Sequence, residues 1–549
     1  MPVNPTYPGV YIQELQSTVR TITGVPTSVA AFVGPALRGP IDKPVHITSF
    51  ADFQRIFGGL DRRYKMSLAV YHFYNNGGAE AEIVRVAGQV DDPDSTKPED
   101  KVKSYPAKVE LGDEPQTGEG EPGGNVVVVL HASGPGDWGR NLKVRVDHNT
   151  IEKLDGGNPA NPRLYNLTIR DEDADQEERF LNISVDDTDA RSLKNVLAGS
   201  QLVVPGTPPP STTPRKVPYK SLDKAPDADQ EKDVWKNPKC HARLKGGEYA
   251  EPALGDYLGD SIAKTGMNAL RDADIFNILS TPDFPFTPET DTELDKIAKF
   301  CVEMRAMFIP DLPLASIAAA SAEADNFPIS RANRKNAALY FPQLKMADPT
   351  QDYAVVDTFN SGVMAGVWAR TDVERGVWKA PAGTDASLGS VVAPSVQMND
   401  LENGVLNPKA VNCLRQLPVY GNLSWGARTM AGADVANDQW KYLPVRRLAL
   451  FIEESLFRGT KWVVFEPNDE PLWASIRLNV GAFMNNLFQQ GAFQGTNPDE
   501  AYLVKCDKDN NPQNQIDLGI VNILVGFAPL KPAEFVVISI QQLAGQIQV

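Results

Sequence analysis

Apolar positions in this chain change period several times, and each change marks an element. Residues 28–34 (SVAAFVG) and 44–50 (PVHITSF) read as strands separated by a GPALRGP turn. Ser49 and Asp52 then stand at capping-box spacing, and ADFQRIFGG predicts a helix ended by glycines. SLAVYHFYNNGG predicts a second helix stopped at Asn76 and Gly77, followed by a strand in residues 80–88 (EAEIVRVAG). Beyond Gly88 the text shifts to short strand-like runs, KVEL, NVVVVLHA, LKVRVDH, LYNLTIR and RFLNISV, separated by Gly, Pro and acidic clusters. From about residue 255 the helix and strand alternation returns, with DADIFNILS, TELDKIAKFCVEMR, AMFIPD, NAALYFP and SGVMAGVWARTDVERG in order. The expected fold class is therefore mixed α/β: a discontinuous core domain with a β-rich insert.

The expected layout is an arm at residues 1–22, a core of residues 23–88 with 251–549, and an outer insert at 89–250. Within the insert, residues 205–235 are rich in proline and poor in apolar residues, which predicts a mobile loop. The two ends are unlike the body. Residues 8–15 (PGVYIQEL) and 534–540 (EFVVISI) have the composition of buried strands at opposite ends of the chain. Val10, Tyr11 and Ile12 at one end, and Phe535, Val536, Val537, Ile538 and Ile540 at the other, are candidates for strands lent to neighbouring chains. A chain that bonds two neighbours at once builds rings, fibres or tubes. The alternative is that both tails pair inside the subunit.

At 549 residues the chain is long enough for several cores, and its net charge of −16 disfavours a nucleic-acid phosphate backbone as the partner. No apolar run approaches the ~18 residues that span a bilayer, and the polar start MPVNPTYPG does not read as a secretory signal, so synthesis in the cytosol is expected. The four cysteines, Cys240, Cys301, Cys413 and Cys506, form no CxxC pair and are expected to be reduced.

Chemistry-bearing patterns are weak. Residues 118–123 (GEGEPG) match GxGxxG in letters, but Glu119 and Glu121 repel phosphate and a strand follows, which predicts a hairpin loop. DKDNNP from Asp507 begins like a calcium loop but has Pro512 where that loop needs glycine, and DEDADQEE from Asp171 reads as a solvated acidic loop. The five histidines fall at no metal spacing. Cys240 beside His241 is the one adjacency of nucleophile and base, and sequence neighbours usually point apart. No catalytic residue, cofactor or metal is expected. A carboxylate-dependent hydrolase with a β-rich accessory domain is the alternative from another class.

A series of longer phrases resembles the contractile tail sheath proteins of phage tails, tailocins and related injection systems. They are PTYPGVYIQEL, SVAAFVGPALRGP, NNGGAEAEIVRV, SGPGDWGRNLKVRV, NALRDADIFNILSTPD, NAALYFPQL, GVMAGVWARTDVERGVWKAPA, WGARTM, WKYLPVRRLALFIEESLFRGTKWVVFEPNDEPLW and FAPLKPAEFVVISI, in the family's order. Trp378 stands where the family usually has histidine, Cys413 where an aliphatic is commoner, and residues 147–250 carry no familiar phrase. The resemblance implies a subunit that polymerises helically around a rigid inner tube and contracts when a baseplate triggers it, linked through both terminal arms. Its implied partners are itself, the inner tube protein, and baseplate and tail-terminator or cap proteins, with no nucleic acid and no membrane span. A baseplate or cap role in the same machine is the nearer alternative. Particle assembly would follow in the cytoplasm, the product being a virion or an extracellular injection particle. In residues 444–458 (PVRRLALFIEESLFR), Leu448, Phe451, Ile452 and Leu456 share one helical face. Arg446 and Arg447 at its start are the candidates for gripping acidic groups on the tube.

Overall fold

A computed structural model describes residues 20–91, 101–118, 121–151, 163–210, 216–223, 231–286 and 291–538. Its centre is a five-stranded sheet in the spatial order Met307–Phe308, Ile278–Ser280, Ala30–Gly34, Ala81–Arg85 and Val45–Ile47. The first four are parallel and Val45–Ile47 runs antiparallel at one edge. Strand periodicity divides the central residues between two cores. Ala31, Val33, Val84, Leu279 and Phe308 pack on one face with the helix Asp291–Glu303. Ala30, Phe32, Ile83, Ile278 and Met307 pack on the other with the helices Phe50–Phe57, Lys65–Asn75 and Ser361–Arg375. All five residues of Ala30–Gly34 are buried, as a parallel strand covered on both faces requires.

Local signals hold where they were read. Ser49 caps Phe50–Phe57 by accepting from the Asp52 amide, and the helix ends at Gly58 in the left-handed region, φ 94°. Lys65–Asn75 ends at Asn76.

Residues from Tyr105 to Glu248 form two four-stranded antiparallel sheets that share a separate apolar core, including Leu111, Leu130, Val144, Val146, Leu167 and Ile169. One sheet holds Gln176–Ser184, Leu164–Asp171, Leu142–Asp147 and Ala242–Arg243; the other holds Val203–Pro205, Glu121–Ala132, Tyr105–Gly118 and Lys245–Glu248. The GxGxxG letters fall at a hairpin end, with Gly118 paired to Glu121. Part of the expected mobile loop is held. The Tyr219 amide donates to the Gly112 carbonyl at 2.8 Å, Ser221 to Val146 at 2.9 Å, and Val217 is buried in the insert core. Residues 211–215 and 224–230 lie outside the described residues.

A fourth apolar cluster joins the helices Leu443–Gly459 and Glu470–Gln489 to a two-stranded ribbon, Tyr502–Lys505 with Leu524–Phe527.

Candidate assembly surfaces

The start of the described chain is fastened to this last unit. The Arg20 amide donates to Asn479 Oδ1 at 2.9 Å, and its guanidinium lies 4.8 Å from the Trp462 ring centroid. Ile22 is buried in the fourth cluster, and the Val25 amide donates to Ser455 Oγ at 3.2 Å. Thr27 gives its hydroxyl to Asp372 Oδ2 at 2.7 Å and its carbonyl accepts from Arg447 at 3.0 Å. Val10, Tyr11 and Ile12 lie outside the described residues.

The other end leaves the same unit. After Leu524–Phe527, the Ala528 amide donates to Ala501 and the Gln494 amide to Ala528, at 2.8 and 2.9 Å. Glu534 is then held by Arg428 through two hydrogen bonds, Nε to Oε1 at 2.6 Å and Nη2 to Oε2 at 2.7 Å, with Asn407 donating at 3.0 Å. Arg428 is almost fully buried, and its charge holds the Glu534 carboxyl below the ordinary range even though burial opposes that.

One residue further the chain inverts the usual burial rule. Phe535, Val536, Val537 and Ile538 are 72%, 80%, 87% and 79% exposed, and residues 535–538 belong to no strand among the described residues. Four consecutive large apolar side chains are therefore left bare to solvent. Ile540 lies outside the described residues.

The structure corrects the reading of Arg446 and Arg447 as tube-facing. Both are only 4% exposed and point into the subunit. Arg447 forms a bidentate pair with Asp372, at 2.8 and 2.6 Å, beneath the Trp368 ring. Arg446 donates to Asn336 Oδ1 and to Glu453, both at 3.2 Å, and stacks on Trp440. Burial pushes the Asp372 carboxyl up, against the pull of Arg447. The helical face read from sequence does pack inward: Leu448 and Ile452 are buried, with Phe451 and Leu456 against them. The arginines lie beside that face, where Asp372 of another helix supplies the counter-charge that no local pattern reveals.

Two further arginines were missed, and both join the insert to the core. Arg85, fully buried, donates to the carbonyls of Gly39 at 2.8 Å and Pro135 at 3.0 Å. Arg38 pairs with Asp171 at 2.9 Å and lies over Trp138, 5.7 Å from its ring centroid. Burial holds the Arg85 guanidinium down, to about 10, outweighing the opposing pull of Tyr249, Tyr64 and Glu251. A charged residue inside the apolar run AEIVRVA was the available signal. Asp171, read as solvated, is buried because the hairpin turn it opens sits against Arg38.

Cys240 is buried, and His241 Nδ1 lies 3.2 Å from the Val234 carbonyl. Among the described residues no cluster of His, Cys, Asp and Glu could hold a metal, and no helix is long and apolar enough to cross a membrane.

The geometry defines a class: an α/β body, two antiparallel sheets on a separate apolar core between Tyr105 and Glu248, both described ends rooted on one helical unit, and an apolar run at 535–538 that joins no ladder among the described residues. Residues 435–542 match the family model of the phage tail sheath C-terminal domain. A putative prophage major tail sheath protein of Pseudomonas aeruginosa is 25% identical over 281 residues, covering 49% of this chain and 67% of that protein. The tail sheath protein of Burkholderia phage BcepMu is 26% identical over 306 residues, covering 52% of this chain and 62% of the relative. Among solved structures, the sheath of the extracellular contractile injection system PVC in its contracted state superposes with TM-score 0.54 at 21% identity, covering 99% of both chains. A sheath tail protein from Listeria innocua superposes with TM-score 0.57 at 12% identity, covering 93% of this chain and 96% of that one. The chain is thus similar to contractile tail sheath proteins in sequence over about half its length, and in fold to solved sheath structures over nearly all of it.

Proposed function

We propose that the chain is the repeating subunit of a contractile sheath. It is a structural part, not a catalyst: it polymerises helically around an inner tube and shortens to drive that tube into a target. The observation that carries the reading is the bare run Phe535–Val536–Val537–Ile538 emerging from the Glu534 clamp. A donated strand of about five residues adds about five backbone hydrogen bonds, each contributing about 1 kcal/mol net, and it covers the exposed side chains. The two-stranded ribbon Tyr502–Lys505 with Leu524–Phe527 is the natural acceptor, since a ribbon this small keeps open edges and gains stability from further strands. Val10, Tyr11 and Ile12 are assigned to the second donated strand.

Linkage through strands survives rotation of the bodies they connect. Contraction is then a repacking of folded units between two arrangements, with the energy held in subunit faces and no nucleotide required. The inner tube, the baseplate and a terminator or cap are the proposed partners, and a phage tail or an extracellular injection particle is the proposed setting.

Negative-stain electron microscopy of the purified protein, alone and co-expressed with its genetic neighbours, tests the reading. Striated tubes or stacked rings are expected. Monodisperse globules under both conditions, with no particle containing the chain, would overturn it.

A further inference from the structure

Residues of both antiparallel sheets between Tyr105 and Glu248 line a cavity of about 390 Å³, within the ~300–1,000 Å³ usual for small-molecule sites. Every residue of its lining is among the described ones. Val128 comes from the strand Glu121–Ala132 of one sheet and Tyr165 from Leu164–Asp171 of the other. Leu193, which opens the short helix Leu193–Val196, and Pro205, which ends the strand Val203–Pro205, extend the apolar wall.

Tyr165 is the anomaly in this wall. It is 1% exposed and its hydroxyl makes no hydrogen bond among the described residues, yet that oxygen is not sealed off by protein. The phenol therefore opens on the cavity it lines. Buried tyrosines ordinarily place this group on a partner inside the protein. Burial pushes the phenol up from its ordinary value, with the charge of nearby Asp187 adding to the shift, so it stays a neutral donor.

The lining selects a ligand by exclusion. It contains no buried cation, so an entering carboxylate or phosphate would lose its hydration without gaining a counter-charge. Val203–Pro205 is an outermost strand of its sheet, but Pro205 and then Pro208 remove the amides an added peptide strand would need. What fits is a small neutral group with an acceptor for Tyr165, a donor for Asp187 and a methyl for the aliphatic wall. An acetamide has all three, and Asp187 can accept from it beside its existing partner because a carboxylate has about four lone-pair sites. Asp187 and Lys194 are both exposed, and the ammonium of Lys194 is placed to meet hydroxyl groups on the solvent side.

We infer that this cavity binds an N-acetylated sugar, with the acetamido carbonyl accepting from Tyr165, its N–H donating to Asp187 and its methyl packed on Val128 and Leu193. The inference is independent of the sheath reading, since every group it uses lies between Val127 and Pro208.

Saturation-transfer difference NMR on the full-length protein tests it, with N-acetylglucosamine, glucose and N-acetyl-lysine as probes. Saturation is expected to be strongest at the acetamido methyl of N-acetylglucosamine, with a Kd on the order of 1 mM and glucose at least about tenfold weaker. Tyr165→Phe deletes a hydroxyl that bonds nothing within the subunit. It is expected to keep the melting temperature while weakening N-acetylglucosamine about tenfold, the equivalent of about 1.4 kcal/mol. Leu193→Trp, at a half-buried position, fills the cavity and should abolish the signal. Glucose binding as tightly as N-acetylglucosamine, or binding that Tyr165→Phe leaves intact, overturns the acetamido assignment. N-acetyl-lysine binding as tightly as the sugar overturns the sugar, and no saturation of any probe at ~20 mM overturns the site itself.

Discussion

Two places in this subunit invert the ordinary burial rule in opposite directions. At the start of the Leu443–Gly459 helix, Arg446 and Arg447 are buried charges; at the end of the described chain, Phe535 to Ile538 are exposed hydrocarbon. The buried corner is complete within one subunit, since Arg447 meets Asp372, Thr27 and the Trp368 face. The exposed tail is complete only if another surface covers it. A polar group with all its partners locks a body, and an apolar group with none reaches outward.

The sharpest way to break this comparison is to remove the tail. Truncation after Glu534, or deletion of residues 1–15, is expected to abolish tubes and rings seen by electron microscopy while leaving the melting temperature of the isolated subunit unchanged. Tubes of normal length from either truncation would refute the assignment of the arms. Next in size, Asp372→Ala leaves Arg447 buried and unpaired and should cost about 3–5 kcal/mol of subunit stability in urea unfolding. Breaking the clamp with Glu534→Ala is expected to cost about 1.5–3 kcal/mol and to weaken assembly while sparing secondary structure measured by circular dichroism.

The smallest effect is one of pH. Asp311 and Asp283 accept backbone N–H bonds at the starts of the Ser361–Arg375 and Lys65–Asn75 helices, and burial pushes them up to about 7 and about 6. Acids whose folded pKa lies above the unfolded value give stability that is full below pH ~4 and lost as pH rises through the folded pKa. The subunit should therefore lose stability between pH ~4 and ~7 by at most about 1.4 kcal/mol per pH unit from each group. Asp311→Asn, which keeps the acceptor for the Asn360 and Ser361 amides, should flatten that slope in a thermal melt. An unchanged slope would mean that Asp311 is ionised throughout.

How much of this was legible in the sequence follows from the range of each interaction. Ser49 with Asp52 and the continuous apolar run in SVAAFVG are local, and both read correctly. The C-terminal run was recognisable as apolar because composition alone carries that. Partners of buried charges are distant in sequence. Arg447 finds Asp372 75 positions away and Arg428 finds Glu534 106 positions away, so helical periodicity alone made Arg446 and Arg447 look solvent-facing. Asp171 was misread for the same reason, its partner Arg38 lying 133 positions earlier. In the proline-rich stretch low hydrophobicity suggested freedom, yet Val217, with the Tyr219 and Ser221 amides, is enough to hold residues 216–223 against the insert.

The Glu534 clamp has a mechanical meaning. Tension on the chain beyond residue 534 reaches the two parallel hydrogen bonds to Arg428 before it reaches the Tyr502–Lys505 ribbon. Arg428 is itself tied by its backbone to the Asn412 side chain, at 2.7 and 2.8 Å, and so to the sheet of Leu339–Phe341, Val411–Leu417 and Gly421–Ser424. The clamp thus works as a strain relief on a cable: load passes into the chassis and the plug is not peeled from its socket.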